Sequence, residues 1–325
     1  MKRVLSGIQP TGRLHLGNLI GAVNNWVKLQ EKHACFFFIA DYHALTTAYS
    51  DTSSLREDIH QLAIDLLSAG IDPEKCTLFR QSDIPEHAEL HLLFSMLTPL
   101  PWLERVPTYK SKIDEVKEKD LGTYGFLGYP VLQAADILIY KADLVPVGED
   151  QLPHLELTRE IGRRFNYLYK EIFPMPKDDL TAFPALPGID GRKMSKTYKN
   201  AIAISDSPEI VTKKVKEMVT DPARIKRDDK GHPDICPVYR YYQIFAKENS
   251  EKVASECREA KRGCVECKNE LAKILIQYLS PIYEKRKTFE NNKLLVENIL
   301  MKGAENARKI ARKTLDEAKK AIGLA

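Results

Sequence analysis

The sequence lacks an apolar run long enough to cross a membrane. A spanning helix needs about 20 consecutive apolar residues, and charged residues make up 29% of this chain. The first residues also lack a signal-peptide core, because the basic pair Lys2 and Arg3 is followed by only two apolar residues before Ser6. We therefore expect a cytoplasmic protein.

The chain also lacks a pronounced excess of positive or negative charge. The chain has 49 Lys and Arg residues against 45 Asp and Glu residues, which gives a net charge of +4. This balance is compatible with a nucleic-acid partner but does not require one. The length of 325 residues and the hydrophobic fraction of 43% are typical of a soluble globular protein with about two domains.

Two common phosphate-binding motifs are absent. A P-loop needs Lys and then Ser or Thr after its second glycine, but Gly12 is followed by Arg13 and Leu14. No G-x-G-x-x-G occurs anywhere in the chain. These absences exclude a Walker-type loop and a dinucleotide-binding fingerprint.

A turn with three glycines at residues 7–18 nevertheless predicts a nucleotide site. It joins a segment predicted as a strand (3–8) to an amphipathic segment predicted as a helix (16–31). Glycines allow the backbone to approach a ligand closely, and the free N–H groups at a helix start attract an anion. The turn is therefore expected to hold a phosphate.

The alternation of elements predicts an α/β fold followed by an all-α domain. Strand and helix patterns alternate up to about residue 165, which predicts a parallel sheet whose ligands bind beyond the carboxyl ends of the strands. After residue 201 only helical patterns occur. We therefore predict domains at 1–200, with a helical insertion at about 85–125, and at 201–325. The predicted strands lie at 3–8, 35–41, 77–80 and 143–147; the predicted helices lie at 16–31, 55–69, 85–96, 129–142, 152–165, 207–219, 238–246, 266–283 and 291–322.

Two short segments resemble the signatures of class I aminoacyl-tRNA synthetases. The segment from His15 to Asn18 (HLGN) is similar to the HIGH signature, and the segment from Lys193 to Thr197 (KMSKT) is similar to KMSKS. They occur in the order that this family has. The segments SGIQPTG at 6–12 and GEDQ at 148–151 resemble the tryptophanyl-tRNA synthetases in particular. The resemblance covers nearly the whole chain and implies a Rossmann-like catalytic domain.

The resemblance implies an enzyme that activates tryptophan with ATP and transfers it to tRNA. The attacking carboxylate is already ionised, so the enzyme has to supply positioning and charge stabilisation rather than a base. Mg²⁺ is expected to bridge the phosphates without protein carboxylates. The residues implied as catalytic are His15, Asn18, Lys193 and Lys196. The further ATP contacts implied are Gln9, Pro10, Thr11, Gly17, Gly148, Glu149, Asp150, Leu186, Met194, Ser195 and Thr197.

A helical segment after residue 125 places three polar side chains on one face. Tyr129, Gln133 and Asp136 have the spacing i, i+4 and i+7. By resemblance, Asp136 accepts the indole N–H of tryptophan, and phenylalanine is rejected because it would leave this acceptor unpaired. Many bacterial members have Met at the position of Gln133 and Phe at the position of Leu5. The other pocket residues implied by the resemblance are His43, Val145, Val147 and Gln151.

Three alternative functions follow from the same residues. The Gln-x-x-Asp helix also occurs in tyrosyl-tRNA synthetases, so a tyrosine-specific enzyme is the first alternative. A non-catalytic tRNA-binding paralogue is the second, and His15, Lys193 and Lys196 argue against it because such a protein does not need phosphate-activating residues. A nucleotidylyltransferase shares the HxGN-like turn, but this third alternative leaves the second signature and the helical domain unexplained.

Four of the six cysteines lie close together in the second half of the chain. Cys236, Cys257, Cys264 and Cys267 have the spacing C-x20-C-x6-C-x2-C, whereas the other two cysteines lie in predicted strands. Four thiolates suit either Zn²⁺ or an iron–sulfur cluster. The resemblance favours [4Fe–4S], since some bacterial members of the family have such a cluster with closely similar spacing.

The resemblance also implies two macromolecular partners. The helical domain is expected to bind the anticodon stem-loop of tRNA(Trp), and the insertion at about 85–125 is expected to contain the contact of a homodimer. A solvated charged surface is the competing explanation for both regions. The basic residues expected to contact the tRNA are Arg224, Lys226, Arg227 and Lys230.

Overall fold

The protein is built around one sheet of five parallel strands. The computed structural model describes residues 1–106, 122–180, 186–196 and 198–324. The strand order is β3-β2-β1-β4-β5, which confirms the predicted α/β class with a parallel sheet. The strands are β1 (Arg3–Ile8), β2 (Ala34–Ile39), β3 (Cys76–Arg80), β4 (Leu144–Val147) and β5 (Lys177–Leu180).

Helices cover both faces of this sheet and form the second half of the chain. The first half contains α1 (Leu16–Asn18), a π-helical turn (Leu19–Val23), α2 (Asn24–Leu29), α3 (Asp41–Ala48), α4 (Leu55–Ser68), α5 (Glu86–Ser95), α6 (Leu100–Glu104), α7 (Tyr124–Ile139) and α8 (Leu152–Leu168). The second half contains α9 (Pro208–Glu217), α10 (Pro237–Phe245), α11 (Lys247–Arg258), α12 (Cys264–Glu290) and α13 (Lys293–Ile322). None of the helices in the described ranges is long and apolar enough to cross a membrane.

Two hydrophobic cores lie on opposite faces of the sheet because strand side chains alternate in direction. Val4 and Phe37 belong to the core that also contains α2, α4 and the helices α9 to α12. Leu5 and Phe36 belong to the other core, which contains α5, α7, α8 and α13. Each core therefore continues from the sheet into the helical second half of the chain.

Several elements differ from the sequence predictions; for example, α6 was not predicted, and the predicted helix at 16–31 is divided by the π-helical turn. Strand β5 lies at the sheet edge and has the polar sequence KDDL, so it has no apolar run that predicts a strand. Helix α3 begins at Asp41, which the sequence assigned to the end of the preceding strand, and the polar helix α11 has few apolar positions that show a helical period. Within the predicted insertion, α5 and α6 are present, and residues 107–121 lie outside the described residues.

The last two helices hold the second half of the chain against the sheet. A Cβ atom at Gly303 of α13 would lie 1.8 Å from the carbonyl oxygen of Leu78 in β3, so only glycine permits this close packing. Arg286 of α12 pairs with Asp65 of α4, and both side chains are buried. Asp65 Oδ2 also accepts a hydrogen bond of 2.8 Å from the N–H of Leu14. The ion pair therefore supports the turn between β1 and α1.

Candidate active site

The glycine-containing turn lies where the order of the strands reverses. The turn leaves the carboxyl end of β1, whose two neighbours in the sheet are β2 and β4. In open parallel sheets the crevice between two such strands is the usual ligand site. The signature segment and the GEDQ turn after β4 therefore lie at the same edge of the sheet.

His15 caps the first helical turn and is held in one tautomer. Its Nδ1 accepts a hydrogen bond of 3.2 Å from the N–H of Asn18, so in the neutral ring the proton is on Nε2. Burial, together with the positive charge of Lys196, lowers the pKa of His15 to about 4. His15 is therefore a neutral hydrogen-bond donor at pH 7 rather than an acid or a cation.

Glycine is required at two positions of this turn. Gly12 has a φ of +97°, which other residues rarely adopt. A Cβ atom at Gly17 would lie 3.0 Å from Nδ1 of His15 and would push the ring out of its cap. The π-helical turn that follows at Leu19–Val23 is of a kind that is frequent at functional sites.

The structure brings the second signature onto the first. The N–H of Gly17 donates to Sδ of Met194 over 3.4 Å, although the two residues are 177 positions apart in the chain. Nζ of Lys196 donates to the carbonyl oxygen of Gly12 over 2.9 Å and lies 3.5 Å from Oγ1 of Thr11. The predicted residues of the two segments thus line one site.

Asn200 holds the loop of the second signature in shape. Its Oδ1 accepts from the N–H of Ser195 over 2.8 Å, and its Nδ2 donates to Asp190 over 2.7 Å and to the carbonyl oxygen of Lys193 over 3.2 Å. The side chain of Lys193 is exposed. Thr197, also predicted here, lies outside the described residues.

Lys196 is electrostatically unusual. Its half-buried ammonium group has a pKa lowered from 10.5 to about 8, because burial outweighs the attraction of Asp65 and Asp58. A cation next to a phosphate cradle is the group expected to stabilise phosphate charge. The lowered pKa shows that the carboxylates of the protein only partly offset the cost of burying this cation.

The other predicted ATP contacts surround the two signatures. The N–H of Thr11 donates to the carbonyl oxygen of Gln9 over 2.9 Å, which forms a tight turn that includes buried Pro10. Leu186 is buried, and its carbonyl oxygen accepts from Met194 N–H over 3.2 Å.

The GEDQ turn after β4 presents polar groups at the surface. A Cβ atom at Gly148 would lie 2.7 Å from Oδ1 of Asp150, the end of an exposed side chain that can move aside. Glu149 and Asp150 are exposed, and the side-chain amide of Gln151 donates to Asp150 over 3.1 Å. The polar groups of this turn are therefore accessible at the edge of the sheet.

Asp136 lies at the centre of a buried polar network. Its Oδ2 is 2.7 Å from Nε2 of His43, another of the predicted pocket residues, and its Oδ1 is 2.6 Å from Nδ1 of His87 and 2.8 Å from Nε2 of Gln81. Burial raises the pKa of Asp136, but hydrogen bonds from the two histidines and their charges outweigh it and hold the pKa well below its usual range. The carboxyl group is therefore an ionised acceptor.

The remaining predicted pocket residues lie on α7 and near β4. The hydroxyl of Tyr129 is 3.3 Å from Nε2 of His154, and Gln133 is half-buried on the same helix. Val145 is buried in the core and Val147 is half-buried at the strand end.

Sequence reasoning missed the groups that hold Asp136 and the signature turn. His87, Gln81 and Tyr140 contact one another or Asp136 and are completely buried. They occupy apolar faces or strand ends, where a single polar residue gives no periodic signal. Asp65 occupies a core position of α4, and its only sequence signal is a carboxylate at a position that the helical period places in the core.

The predicted four-cysteine metal centre is not confirmed. Within the described ranges, no group of three or more His, Cys, Asp or Glu residues is arranged to hold a metal ion. The thiols are nevertheless neighbours. Burial, with smaller contributions from Cys236 and Cys257, outweighs Tyr242 and Arg262 and raises the pKa of Cys267 to about 12. Burial also raises the pKa of Cys257, with contributions from Cys236 and Cys264.

A basic cavity adjoins these cysteines. It has a volume of about 800 Å³ and lies between the loop after α9 and the start of α12. Arg224, Lys226 and Arg227 line one side, and Cys264 and Lys273 line the other. Three of the four predicted tRNA contacts therefore share one concave surface.

Comparisons with known proteins agree with this geometry. Residues 1–280 match the family model described as tRNA synthetases class I (W and Y). The chain is 52% identical to a tryptophan–tRNA ligase of Thermotoga maritima, with 99% of both chains covered, and 46% identical to one of Aquifex aeolicus, with 99% of this chain and 100% of the relative covered. A solved tryptophanyl-tRNA synthetase of Campylobacter jejuni, complexed with ADP and tryptophan, has a TM-score of 0.89 at 35% identity and covers 99% of this chain and 100% of its own.

Proposed function

We propose a role for each part of the active site, because the chain belongs to the family of class I tRNA synthetases for tryptophan and tyrosine. The enzyme is a tryptophan–tRNA ligase: it activates tryptophan with ATP and charges tRNA with it. The observation that supports the division of roles most directly is the contact of Met194 and Lys196 with the first signature turn.

ATP binds between the two signatures in this proposal. The tryptophan carboxylate attacks the α-phosphate, and the bond to the leaving diphosphate breaks. Neutral His15 donates a hydrogen bond from Nε2 to the phosphates, and Asn18 adds a second donor. Lys193 and Lys196 contact the β- and γ-phosphates, and Mg²⁺ held by ATP would supply further positive charge.

Lys196 exchanges partners when ATP binds. In the structure its Nζ contacts the carbonyl oxygen of Gly12 and the hydroxyl of Thr11. A phosphate oxygen is a stronger partner for an ammonium group than either of these neutral acceptors. The pKa of about 8 therefore rises when ATP is bound, and the cation is fully present during the reaction.

The nucleoside of ATP contacts the surrounding turns. Glu149 and Asp150 are exposed acceptors for the ribose hydroxyls, Gly148 allows close approach, and Leu186 packs against adenine. These roles are supported by the position of β4 beside β1 at one edge of the sheet. The first turn contributes Gln9, Pro10, Thr11 and Gly17, and the second signature contributes Met194, Ser195 and Thr197.

Asp136 selects tryptophan by accepting the indole N–H. An ionised, buried carboxylate is a strong acceptor, and a ring without a donor leaves it unpaired at high cost. This role of Asp136 is supported by the two histidines that keep its carboxyl group ionised. The pocket is completed by Tyr129, Gln133, Gln151, His43, Val145 and Val147.

Residues 201–325 form a domain that binds the anticodon of tRNA(Trp). Support comes from the basic cavity, because an unpaired nucleotide is held by cations at its phosphate and by contacts along its base. Lys230, which follows Arg227 by three residues, is also exposed and is the fourth residue proposed to contact the tRNA.

The four neighbouring thiols bind a metal centre, for which [4Fe–4S] is preferred and Zn²⁺ is the alternative. Their donor set fits such a centre because four thiolates satisfy either group. Their mutual effects on pKa support proximity, although the described geometry is not a ligating one. The cluster would fix the basic loop. Anaerobically purified protein should contain about four irons per chain; metal-free protein with four titratable thiols would contradict the proposal.

The enzyme is a cytoplasmic homodimer in this proposal. Large apolar side chains are exposed within the predicted insertion: Met96 is 76% exposed, Leu100 59% and Tyr124 66%. A second copy would cover this surface. Mass photometry of the Met96→Asp, Leu100→Asp double variant should show a monomer, and an unchanged mass relative to the parent protein would contradict this contact.

The proposed roles are tested together by tryptophan-dependent ATP–diphosphate exchange. Asp136→Asn should raise KM for tryptophan and leave KM for ATP near its original value, whereas Lys196→Ala should act on ATP activation. If either variant changed the other substrate's parameter instead, the two subsites would be wrongly placed.

A further inference from the structure

Asp136 is held by a chain of buried groups that no substrate contact explains. His87 Nδ1 is 2.6 Å from Asp136 Oδ1, and His87 Nε2 is 2.7 Å from the hydroxyl of Tyr140. Gln81 Nε2 donates to the same Oδ1 over 2.8 Å. His87, Gln81 and Tyr140 are all 0% exposed, so bulk solvent does not reach these hydrogen bonds.

The proton positions along this chain follow from the acceptor at its end. The ionised carboxylate of Asp136 can only accept, so Nδ1 of His87 carries a proton and donates. Burial, with the charges of Asp136 and Glu86, raises the pKa of Tyr140 well above its usual range, so its hydroxyl keeps its proton. That hydroxyl lies 2.7 Å from Nε2 of His87 and forms the second hydrogen bond of the ring. Tyr140 thereby holds His87 in the orientation in which Nδ1 faces Asp136.

Aromatic packing keeps the imidazole ring of His87 in place. Its centroid lies 5.4 Å from that of Tyr140, 6.1 Å from Phe38 and 6.2 Å from Phe79. These rings come from the residue that caps the end of α7, from β2 and from β3, and His87 itself comes from α5. Rotation of the imidazole would therefore require several elements to move.

The two oxygens of Asp136 differ in how many donors they have. Oδ1 accepts from His87 and Gln81, whereas the hydrogen bond given to Oδ2 comes from His43. A carboxylate oxygen accepts about two hydrogen bonds. Oδ2 therefore has the remaining capacity for a donor on the substrate.

We propose that His87, Tyr140 and Gln81 are specificity-determining positioning residues: they fasten Asp136 through Oδ1 and so present Oδ2 to the ring N–H of the amino acid. This inference rests on the proposed role of Asp136 as the indole acceptor. The three residues act through Asp136 and do not touch the substrate, so they affect the choice of ring more than the rate of adenylate formation.

The experiment compares two substrates that differ at the ring donor. Diphosphate exchange is measured with tryptophan and with β-(3-benzothienyl)alanine, in which sulfur replaces the N–H. The kcat/KM for tryptophan divided by the kcat/KM for this analogue measures how much the hydrogen bond to Oδ2 contributes. His87→Leu is expected to lower this ratio by about tenfold, and Tyr140→Phe, which removes one oxygen, by several-fold. His87→Asn, which can retain a donor toward Oδ1, should restore part of the ratio.

The same assay distinguishes the positioning role of His87, Tyr140 and Gln81 from the proposed role of Asp136 as the indole acceptor. If Asp136→Asn keeps the parent ratio, Asp136 is not the indole acceptor and the proposed pocket is wrong. If Asp136→Asn loses the ratio while Tyr140→Phe keeps it, only the positioning role is refuted, and an unchanged ratio in folded His87→Leu refutes it as well. Equal losses for both substrates would indicate a merely structural role and would also refute it. Tyr140→Phe preserves the ring packing, so the test does not depend on whether His87→Leu folds.

Discussion

Lys196 gives the sharpest prediction, because its pKa of about 8 lies within the working range of the enzyme. An unperturbed lysine with a pKa of 10.5 would remain a cation throughout that range. At pH 7 about nine tenths of the free enzyme have the cation, and above pH 8 this fraction falls about tenfold per pH unit. If the cation is required, kcat/KM for ATP falls in the same way as the pH rises above 8.

The size of the effect follows from the role of the charge. Removal of one preorganised group that stabilises transition-state charge costs about 10²–10³ in rate, so Lys196→Ala should lower kcat/KM for ATP by at least that factor and leave tryptophan binding nearly unchanged. Lys196→Arg keeps a cation at every accessible pH. Its activity should be lower because of the altered geometry, but its decline above pH 8 should disappear.

The assay is diphosphate exchange at saturating tryptophan between pH 6 and 10. Arg192→Ala is the matched control, because it removes an exposed cation from the same loop that pairs with Asp190. It should stay within a few-fold of the parent enzyme, since a surface ion pair contributes little. A flat parent profile up to pH 10, or a loss below tenfold in Lys196→Ala, would refute the role of Lys196.

Two further predictions concern the second half of the chain. Arg286→Met leaves Asp65 buried without its partner and should destabilise the protein by about 3–5 kcal/mol, measured by urea unfolding; if the midpoint is unchanged, the pair does not join the two regions. Arg227→Glu in the basic cavity should weaken tRNA charging at fixed salt while amino-acid exchange stays intact. Lys32→Glu, a distant exposed position, is its control, and equal losses in both variants would indicate only a change in net charge.

Sequence patterns were sufficient for the parts of the fold with strong local signals. The turn after β1 could be predicted because its glycines and the flanking apolar strand are adjacent in sequence, and the second signature could be matched to it by resemblance. The contact between Lys196 and Gly12 requires the folded loop, and no local pattern predicts its 2.9 Å hydrogen bond. The edge strand β5 was missed because an exposed strand does not need apolar residues.

The buried polar groups show a second limit of sequence reasoning. The resemblance was enough to single out Asp136 as a candidate pocket residue. It did not point to His87 or Tyr140, because their proposed role depends on a contact between different elements of the fold. Asp65 likewise contacts two distant parts of the chain: it accepts a hydrogen bond from the N–H of Leu14 and pairs with Arg286. Such residues are single polar exceptions on apolar faces, and only the tertiary structure shows what they contact.

In the proposed enzyme, the buried carboxylate of Asp136 selects tryptophan, and the two joined signature segments activate it. ATP–diphosphate exchange with each of the twenty amino acids in turn tests this selection. Tryptophan alone should support rapid exchange, and the Asp136→Asn variant should lose most of its kcat/KM for tryptophan. Comparable exchange with tyrosine in the parent enzyme would contradict the assignment of the pocket.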